Sequence, residues 1–295
     1  MIKVLAKSVV FLVTIFQLHA QRNYPPTING GKEVVYKTID GLDLRLWVFS
    51  PERHQKTSRV PAIVFYFGGA WKTGSLEQFI PQAEYYAQKG LVTVLVDYRV
   101  KERNNVESKK CVSDAKSAIR WVRTHAKELG VNPDKIIASG GSAGGHLAAA
   151  TALLQNFDEP TEDKAISSKP KALVLFNPVL VTAAEEGVTD NYIKKLKNFS
   201  ESRFGTSPKS MSPYHHIISG LPPTIIFHGK DDKVVPIASI EDFNKKMLLH
   251  NNRCEFYSYP NAGHGFYNKG KNKNKWYLDT LSKLDAFLSD IGYLN

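Results

Sequence analysis

The sequence predicts an α/β fold with a mostly parallel central sheet, an antiparallel N-terminal hairpin and helices on both faces. Three observations support this prediction. Short apolar runs lack the alternation of half-exposed strands, segments with helical spacing separate them, and an Asp-Gly pair lies between the first two runs. Because parallel neighbours need a long crossover connection, the strand-helix-strand order favours a parallel sheet with helices on both sides.

The individual elements follow from these patterns. A hairpin is predicted from Val34–Ile39 and Leu42–Phe49, since Asp40-Gly41 readily takes the positive φ angles of a tight turn. The later strands are predicted at Ala62–Phe67, Leu91–Val96, Lys135–Ser139, Ala172–Phe176, Thr224–His228 and Glu255–Tyr259. The main helices are predicted at Leu76–Gln88, Val112–Leu129, Ala143–Leu154, Ile237–Leu249 and Tyr277–Ser289.

One stretch, Val181 to Ile218, breaks the alternation of strands and helices. We interpret it as an insertion over the carboxyl edge of the sheet. Such an insertion is either a lid that shapes substrate access or a plain surface excursion, and the sequence leaves both open.

The first 20 residues are predicted to be a signal peptide, so that residues 21–295 form a single domain. Two lysines precede an apolar run from Ser8 to Leu18, and polar residues follow Ala20. The run is shorter than the roughly 20 residues that a membrane-spanning helix needs. The sequence therefore predicts secretion, to the periplasm or the exterior, without stable membrane insertion.

The chain is basic, with a formal net charge of +11 and a pI of about 9.4. The charge is mostly dispersed, and its densest run is Lys269 to Lys275. That run lacks the interleaved aromatic residues of a nucleic-acid binder, so no nucleic-acid partner is predicted. A solvated loop explains it, and a docking surface for an anionic polysaccharide remains an alternative.

Two cysteines, Cys111 and Cys254, lie far apart in segments that read as regular structure. Two thiols in a secreted protein could pair, but we favour two small buried apolar residues. Neither has the neighbouring cysteines or histidines of a zinc site, so neither a structural metal nor a cofactor is predicted.

The strongest chemical signal is the run Gly140-Gly141-Ser142-Ala143-Gly144-Gly145. It follows a predicted strand and opens a predicted helix, which is the context that a G-x-S-x-G nucleophile requires. A serine on such a sharp turn needs small neighbours, because the strained backbone brings surrounding atoms too close for side chains. The helix behind it also directs free N–H groups and a positive dipole end at the serine. Ser142 is therefore the candidate nucleophile.

A second glycine-rich loop, Phe67-Gly68-Gly69-Ala70-Trp71, follows the predicted third strand. Acyl transfer needs donors for the negative oxygen of a tetrahedral intermediate, and backbone N–H groups near glycines can supply them. The candidate donors are Gly69, Ala70 and Ala143. A loop that merely turns the chain is the alternative.

A serine nucleophile needs a histidine that accepts its proton and a carboxylate that orients the histidine. His264 lies just past the last predicted strand in a glycine-flanked loop, whereas His228 ends a buried strand and suits a structural role. Two aspartates, Asp231 and Asp232, follow the preceding strand, and only one can orient the histidine.

The order serine, aspartate, histidine resembles that of the α/β-hydrolases. More narrowly, the segments GGSAGGHLA, FGGAW, DYR, PPTIIFHGKDDKVVP and NAGHGF resemble the acetyl-esterase and hormone-sensitive-lipase-like branch, which includes bacterial carbohydrate esterases. The resemblance implies a triad of Ser142, Asp232 and His264. It also implies oxyanion donors at Gly69, Ala70 and Ala143, and a tryptophan, Trp71, beside the substrate pocket.

One departure from the family pattern stands out. Phe67 occupies the position where the family usually has the histidine of an HGG sequence. The backbone donors survive this change, but the side-chain hydrogen bonds that normally brace the loop do not.

The expected function is a secreted serine esterase that removes short acyl groups, such as acetate, from small-molecule or glycan esters without a cofactor. One alternative is a peptidase like prolyl oligopeptidase, although the long N-terminal propeller of such enzymes is missing. Another is a noncatalytic binding protein that kept the fold. An intact Ser142, Asp232 and His264 argue against the latter.

Overall fold

The computed structural model describes residues 24–294, in which eight strands form one sheet; the predicted signal peptide lies outside this range. The strands are β1 (Lys32–Ile39), β2 (Leu42–Phe49), β3 (Val60–Tyr66), β4 (Val92–Val96), β5 (Val131–Gly141), β6 (Ala172–Phe176), β7 (Thr224–Gly229) and β8 (Cys254–Tyr259). Their order across the sheet is β1-β2-β4-β3-β5-β6-β7-β8.

The pairing confirms the predicted mostly parallel sheet with an antiparallel hairpin at its start. Strand β1 pairs antiparallel with β2, which also pairs antiparallel with β4, and all other neighbours are parallel. The hairpin turns at Asp40 (φ 53°) and Gly41 (φ 76°), the positive φ angles expected for this dipeptide. All residues of β4 and β6 are buried, as befits strands covered on both faces.

The helices are α1 (Ile80–Gln88), α2 (Lys101–Asn104), α3 (Ser108–Thr124), α4 (Ala143–Leu153), α5 (Ile193–Leu196), α6 (Glu201–Phe204), α7 (Ile237–Leu249) and α8 (Lys275–Asp290). The helix predicted from Leu76 differs in detail: a 3-10 turn covers Leu76–Phe79, and α1 starts only at Ile80. Phe79 leaves helical geometry (φ −111°, ψ 7°), and the proline that follows Ile80 suits the first turn of a new helix.

Helices cover both faces of the sheet. Consecutive residues of a strand point to opposite faces, so Phe65 and Tyr66 of β3 distinguish them. The Phe65 ring stacks on Phe79, next to α1, at 5.2 Å. The Tyr66 hydroxyl donates to the carbonyl of Ala115 in α3 over 2.8 Å. Helix α4 contacts α3, and α8 is joined to α1 by a hydrogen bond from Tyr85 to Asp285.

The candidate site residues all follow the carboxyl ends of parallel strands. Gly69 follows β3, Ser142 follows β5, Asp232 follows β7 and His264 follows β8. These ends lie at one edge of the sheet, where open α/β proteins bind their ligands. The fold therefore gathers residues that are far apart in sequence.

Both cysteines are buried and free, in agreement with the favoured interpretation of them as small apolar residues. In the part of the chain from Tyr24 to Leu294, no helix has the length and apolarity to cross a membrane.

Candidate active site

Ser142 lies on a strained turn between β5 and α4, with φ 56° and ψ −118°. Glycines make the turn possible. A Cβ atom at Gly140 would lie 2.3 Å from the carbonyl oxygen of Gly144, and one at Gly144 would lie 2.0 Å from that of Tyr66. The Ser142 N–H donates to Phe176 of β6 over 2.9 Å, which ties the turn to the neighbouring strand. This φ/ψ pair lies outside the left-handed helical region, and backbone strained in this way clusters at functional sites.

His264 is paired with Asp232. Its Nδ1 lies 2.7 Å from Asp232 Oδ2, and the Asp232 side chain is fully buried. The other carboxylate oxygen accepts from the N–H groups of Val234 (2.8 Å) and Val235 (3.0 Å). Burial opposes ionisation, but these hydrogen bonds and that of His264 outweigh it and lower the pKa of Asp232. The neighbouring Asp231 is exposed, so the geometry distinguishes the two aspartates.

Asn177 is a site residue that the sequence analysis did not identify. Its Nδ2 donates to Asp232 Oδ2 over 2.9 Å, and its Oδ1 accepts from the Gly265 N–H over 3.0 Å. It is fully buried at the end of β6 with φ 43°. Asn177 thus holds both the carboxylate and the loop of the histidine. The available signal was an Asn-Pro pair directly after a buried strand, since asparagine tolerates positive φ.

Two further histidines are buried beside the site. His228 donates from Nε2 to the Val235 carbonyl over 2.9 Å, the structural role expected for it, and burial lowers its pKa. His146, in α4, donates from Nε2 to the Met211 carbonyl over 2.6 Å. Burial lowers the pKa of His146 to about 4, so it is neutral at physiological pH. His146 thereby joins the nucleophile helix to the stretch from Val181 to Ile218.

The glycine-rich loop after β3 lies against the serine. A Cβ atom at Gly68 would come within 3.2 Å of Ser142 Cβ. The loop takes positive φ at Gly69 (127°), Ala70 (58°) and Trp71 (58°). Within the described residues, no hydrogen bond engages the N–H groups of the three candidate donors, Gly69, Ala70 and Ala143. Those groups are available for an external acceptor.

Other contacts brace this loop where the family histidine is missing. The Phe67 ring stacks on Tyr98 with centroids 4.1 Å apart, and the Tyr98 hydroxyl donates to the Phe67 carbonyl over 2.6 Å. Gln78 accepts from the Gly68 N–H (2.6 Å) and donates to the Tyr267 hydroxyl (2.9 Å). This stacking and the hydrogen bonds of Gln78 therefore brace the loop in the absence of the family histidine.

Two cavities meet at Ser142. The first, the histidine cleft, has a volume of about 720 Å³, is open and is lined mostly by glycines and residues with polar side chains; its lining includes Gly68, Gly69, Gln78, His264, Asn268 and Lys271. The second, the lid cavity, has a volume of about 340 Å³ and is mainly apolar; its lining includes Trp71, Val179, Tyr192, Leu196, Phe199 and Val235. Several of these residues belong to the stretch Val181 to Ile218, which therefore covers the site instead of lying apart from it. Trp71 and Ser142 both line the lid cavity.

Among residues 24–294, no group of three or more histidine, cysteine or acidic side chains could hold a metal ion. The arrangement offers a hydroxyl on a strained turn, an imidazole with a buried carboxylate, and free N–H groups around the hydroxyl.

Comparison with known protein families identifies the family of this chain. The sequence pattern of the BD-FAE family matches residues 46–247, more than half of the chain. The protein belongs to the BD-FAE family. It has the α/β-hydrolase fold, in the hormone-sensitive-lipase-like branch of the esterases.

Relatives of this BD-FAE protein include esterases of known structure. Esterase LipQ of Mycobacterium tuberculosis is 31% identical over 70% of this chain and 51% of its own length. An acetylxylan esterase of Xylanibacter ruminicola is 26% identical over 68% of this chain and 39% of its own. Thermogutta terrifontis esterase 2, solved with bound propionate, is 50% identical with a TM-score of 0.86, covering 92% of this chain and 98% of the other.

The chain spans about half the length of the first curated relatives that it matches. It spans nearly all of the T. terrifontis enzyme, which has also been solved with butyrate and after phosphorylation by paraoxon.

Proposed function

We propose that the protein is a secreted carboxylic ester hydrolase that removes short acyl groups by a Ser142-His264-Asp232 mechanism. One observation carries the proposal: the hydroxyl of Ser142 and the imidazole of His264 line the same cleft, and the histidine is held from behind by a buried carboxylate. The family relatives support the reaction class, because they are described as esterases.

In the proposed reaction, His264 accepts the proton of Ser142 as the oxygen attacks the ester carbonyl. Asp232 orients the imidazole through Nδ1 and stabilises its protonated form, which leaves Nε2 for the proton transfer. The N–H groups of Gly69, Ala70 and Ala143 stabilise the oxyanion. Loss of one such donor typically costs about 3 kcal/mol. The alcohol leaves with a proton from His264, and water then releases the acid by the same steps in reverse.

The position of His264 supports one assignment of the two cavities. Because His264 must protonate the leaving oxygen, the alcohol lies in the histidine cleft, which His264 lines. The acyl group then lies in the lid cavity, which Ser142 lines but His264 does not. A smaller cavity lined mainly by apolar residues, and a larger cleft that offers hydroxyl, amide and charged side chains, suit a small acid attached to a large polar alcohol.

The size and lining of this cleft support a polysaccharide as the alcohol. The cleft is large, open and lined by amides, hydroxyls and charged groups. The acetylxylan esterase among the relatives and the propionate and butyrate complexes of T. terrifontis esterase 2 support short acyl groups and a glycan carrier. Lys271 lines this cleft, with Nζ 3.4 Å from the His264 carbonyl oxygen, and this cation beside the cleft supports an anionic polysaccharide as a partner.

The decisive experiment measures hydrolysis of p-nitrophenyl esters beside a chromogenic dipeptide, with Ser142→Ala as the control. Removal of the nucleophile from such a triad lowers turnover by about a millionfold. Wild-type activity no greater than that of Ser142→Ala would refute the proposed hydrolysis at Ser142. Faster hydrolysis of the dipeptide than of the esters would favour a peptidase. Treatment with paraoxon should add one diethylphosphoryl group to the Ser142 peptide of the wild type alone.

Two further experiments test the carrier and the compartment. The wild type should release acetate from acetylated xylan. Its retention on immobilised anionic glycans should exceed that on a neutral glycan and should fall as salt is added; lack of retention at every salt concentration would exclude the anionic partner. If residues 1–20 direct export and are cleaved, the full chain expressed in bacteria should appear outside the cytoplasm without them. A chain without those residues should stay inside.

A further inference from the structure

A third cavity lies behind the lid cavity. This outer cavity has a volume of about 380 Å³, and its lining includes Lys101, Val106, Ser108 and Ser202. It shares three wall residues with the lid cavity: Ala70, Trp71 and Arg203. Ser142 lines the lid cavity but not the outer one. The shared residues therefore form a partition between the space beside the nucleophile and a further space of similar size.

Arg203 is fixed in this partition by its guanidinium. Its Nη2 donates to the Ala70 carbonyl over 2.9 Å, and its Nη1 donates to the Asn198 carbonyl over 3.1 Å. The guanidinium carbon lies 5.3 Å from the centre of the Trp71 ring and 5.7 Å from that of Phe199, within the range of cation–π contacts. Arg203 follows Ser202 in α6, and the residue after it, Phe204, is anchored in the core.

The other two shared residues cannot open the partition. Trp71 is only 2% exposed and packs edge-on against His146 and Phe204, at 4.9 and 5.5 Å between ring centroids. Ala70 contributes a methyl group and a carbonyl that Arg203 already engages. The long side chain of Arg203 is therefore the part of the partition that a substitution can remove.

We propose that Arg203 sets the limit on acyl-chain length by closing the lid cavity against the outer cavity. This inference rests on the proposed ester hydrolysis with the acyl group in the lid cavity. A short acyl chain ends before the guanidinium. A longer one would have to displace a charged group with two backbone hydrogen bonds and two aromatic contacts, so the enzyme discriminates against it.

The test is an acyl-length series from p-nitrophenyl acetate to p-nitrophenyl dodecanoate, measured as kcat/KM. Arg203→Ala should raise the ratio of octanoate to acetate activity by at least about tenfold, because the added methylenes gain apolar burial in the joined cavity. Arg203→Ser serves as a second opening variant if the alanine variant does not fold.

Arg203→Met is the matched control for the hydrogen bond to Ala70. Methionine fills the partition with a side chain of similar length but donates nothing to the loop. If Arg203 acts as a wall, Arg203→Met keeps the short-chain preference. If it acts only by holding Ala70, the Met and Ala variants should both lose activity equally at every chain length, and that result would overturn the inference.

Refilling the outer cavity gives an independent check. Val106 lines the outer cavity alone, so Val106→Phe in the Arg203→Ala background should remove most of the gained activity on octanoate. Arg253→Ala, which removes an arginine paired with Glu255 and Asp290 at the opposite edge of the sheet, should leave the profile unchanged. If the wild type is active and Arg203→Ala leaves its acyl-length profile unchanged, the role of Arg203 is refuted but the proposed function is not. A wild type inactive on all esters refutes the proposed function as well.

Discussion

The two cavities that meet at Ser142 are built in different ways. The histidine cleft is formed mainly by loops that follow strands. Its shape depends on the backbone of these loops, which takes positive φ angles at several residues, glycines among them. The lid cavity takes about half of its lining from the stretch Val181 to Ile218, in which the helices are one turn long. Under the proposed function, the loops that follow the strands position the reacting groups, whereas the stretch between β6 and β7 selects the acyl group. Changes in the two regions should therefore affect different kinetic constants.

The largest effect is expected from Asp232→Asn on the histidine side. An amide in place of the carboxylate favours the wrong imidazole tautomer, and in comparable triads this lowers kcat by about ten thousandfold. Steady-state kinetics on a short p-nitrophenyl ester measures it. Asp231→Asn is the matched control, since Asp231 is exposed, and it should keep nearly full activity. Equal losses in the two variants would contradict the assignment of Asp232.

Asn177→Ala should produce the next largest effect. It removes the donor to Asp232 and the acceptor for the Gly265 N–H, so the carboxylate and the histidine loop both lose a fixed point. Misplacement of about 1 Å near a reacting group can cost about a hundredfold. We expect kcat to fall by roughly ten- to a hundredfold with little change in KM. A kcat within twofold of the wild type would show that Asp232 and His264 are positioned without Asn177.

A third prediction concerns His146, which connects the two regions by donating from α4 to the Met211 carbonyl. Its folded-state pKa of about 4 lies below the ordinary value of 6.5, so protonation favours the unfolded chain. This contribution to stability is full above pH 6.5 and is lost as the pH falls from 6.5 toward 4. The loss is about 1.4 kcal/mol per pH unit, or about 2 kcal/mol between pH 7 and pH 5.

Urea unfolding at pH 7 and pH 5 measures this loss. His146→Gln can still donate to Met211 but does not titrate, so its free energy of unfolding should fall by less over the same interval. A wild type and a variant that lose equal stability between the two pH values would exclude His146 as the group responsible.

The smallest effect is expected on the lid side. Leu196 is buried in the wall of the lid cavity. Leu196→Ala should widen this cavity and leave the pair of Asp232 and His264 in place. We expect KM for short esters to rise a few-fold while kcat stays within about threefold, because only binding shared by the ground and transition states is lost. A drop in kcat comparable to that of Asn177→Ala would break the distinction between the two regions.

The two regions also differ in how far the sequence predicts them. Buried strands and the turn at Ser142 follow from local patterns, because apolar runs and glycines carry their constraint in neighbouring residues. The choice between Asp231 and Asp232 depends on which carboxylate points inward, and Asn177 matters only through partners on other strands. The one-turn helices of the stretch Val181 to Ile218 are held by tertiary hydrogen bonds. The Tyr192 hydroxyl donates to Asp242 over 2.8 Å, and Lys195 donates to the Lys233 carbonyl over 2.8 Å.

The spread of the site over the carboxyl ends of β3, β5, β7 and β8 has a consequence for folding. Each of these strands must be paired before the oxyanion loop, the nucleophile, the carboxylate and the histidine come together. Contacts between residues so distant in sequence form slowly, whereas helices form quickly. Recovered ester hydrolysis should therefore lag behind the helical circular-dichroism signal during refolding, which makes catalytic activity a reporter of the last strand to join the sheet. Simultaneous recovery of both signals would argue against this order.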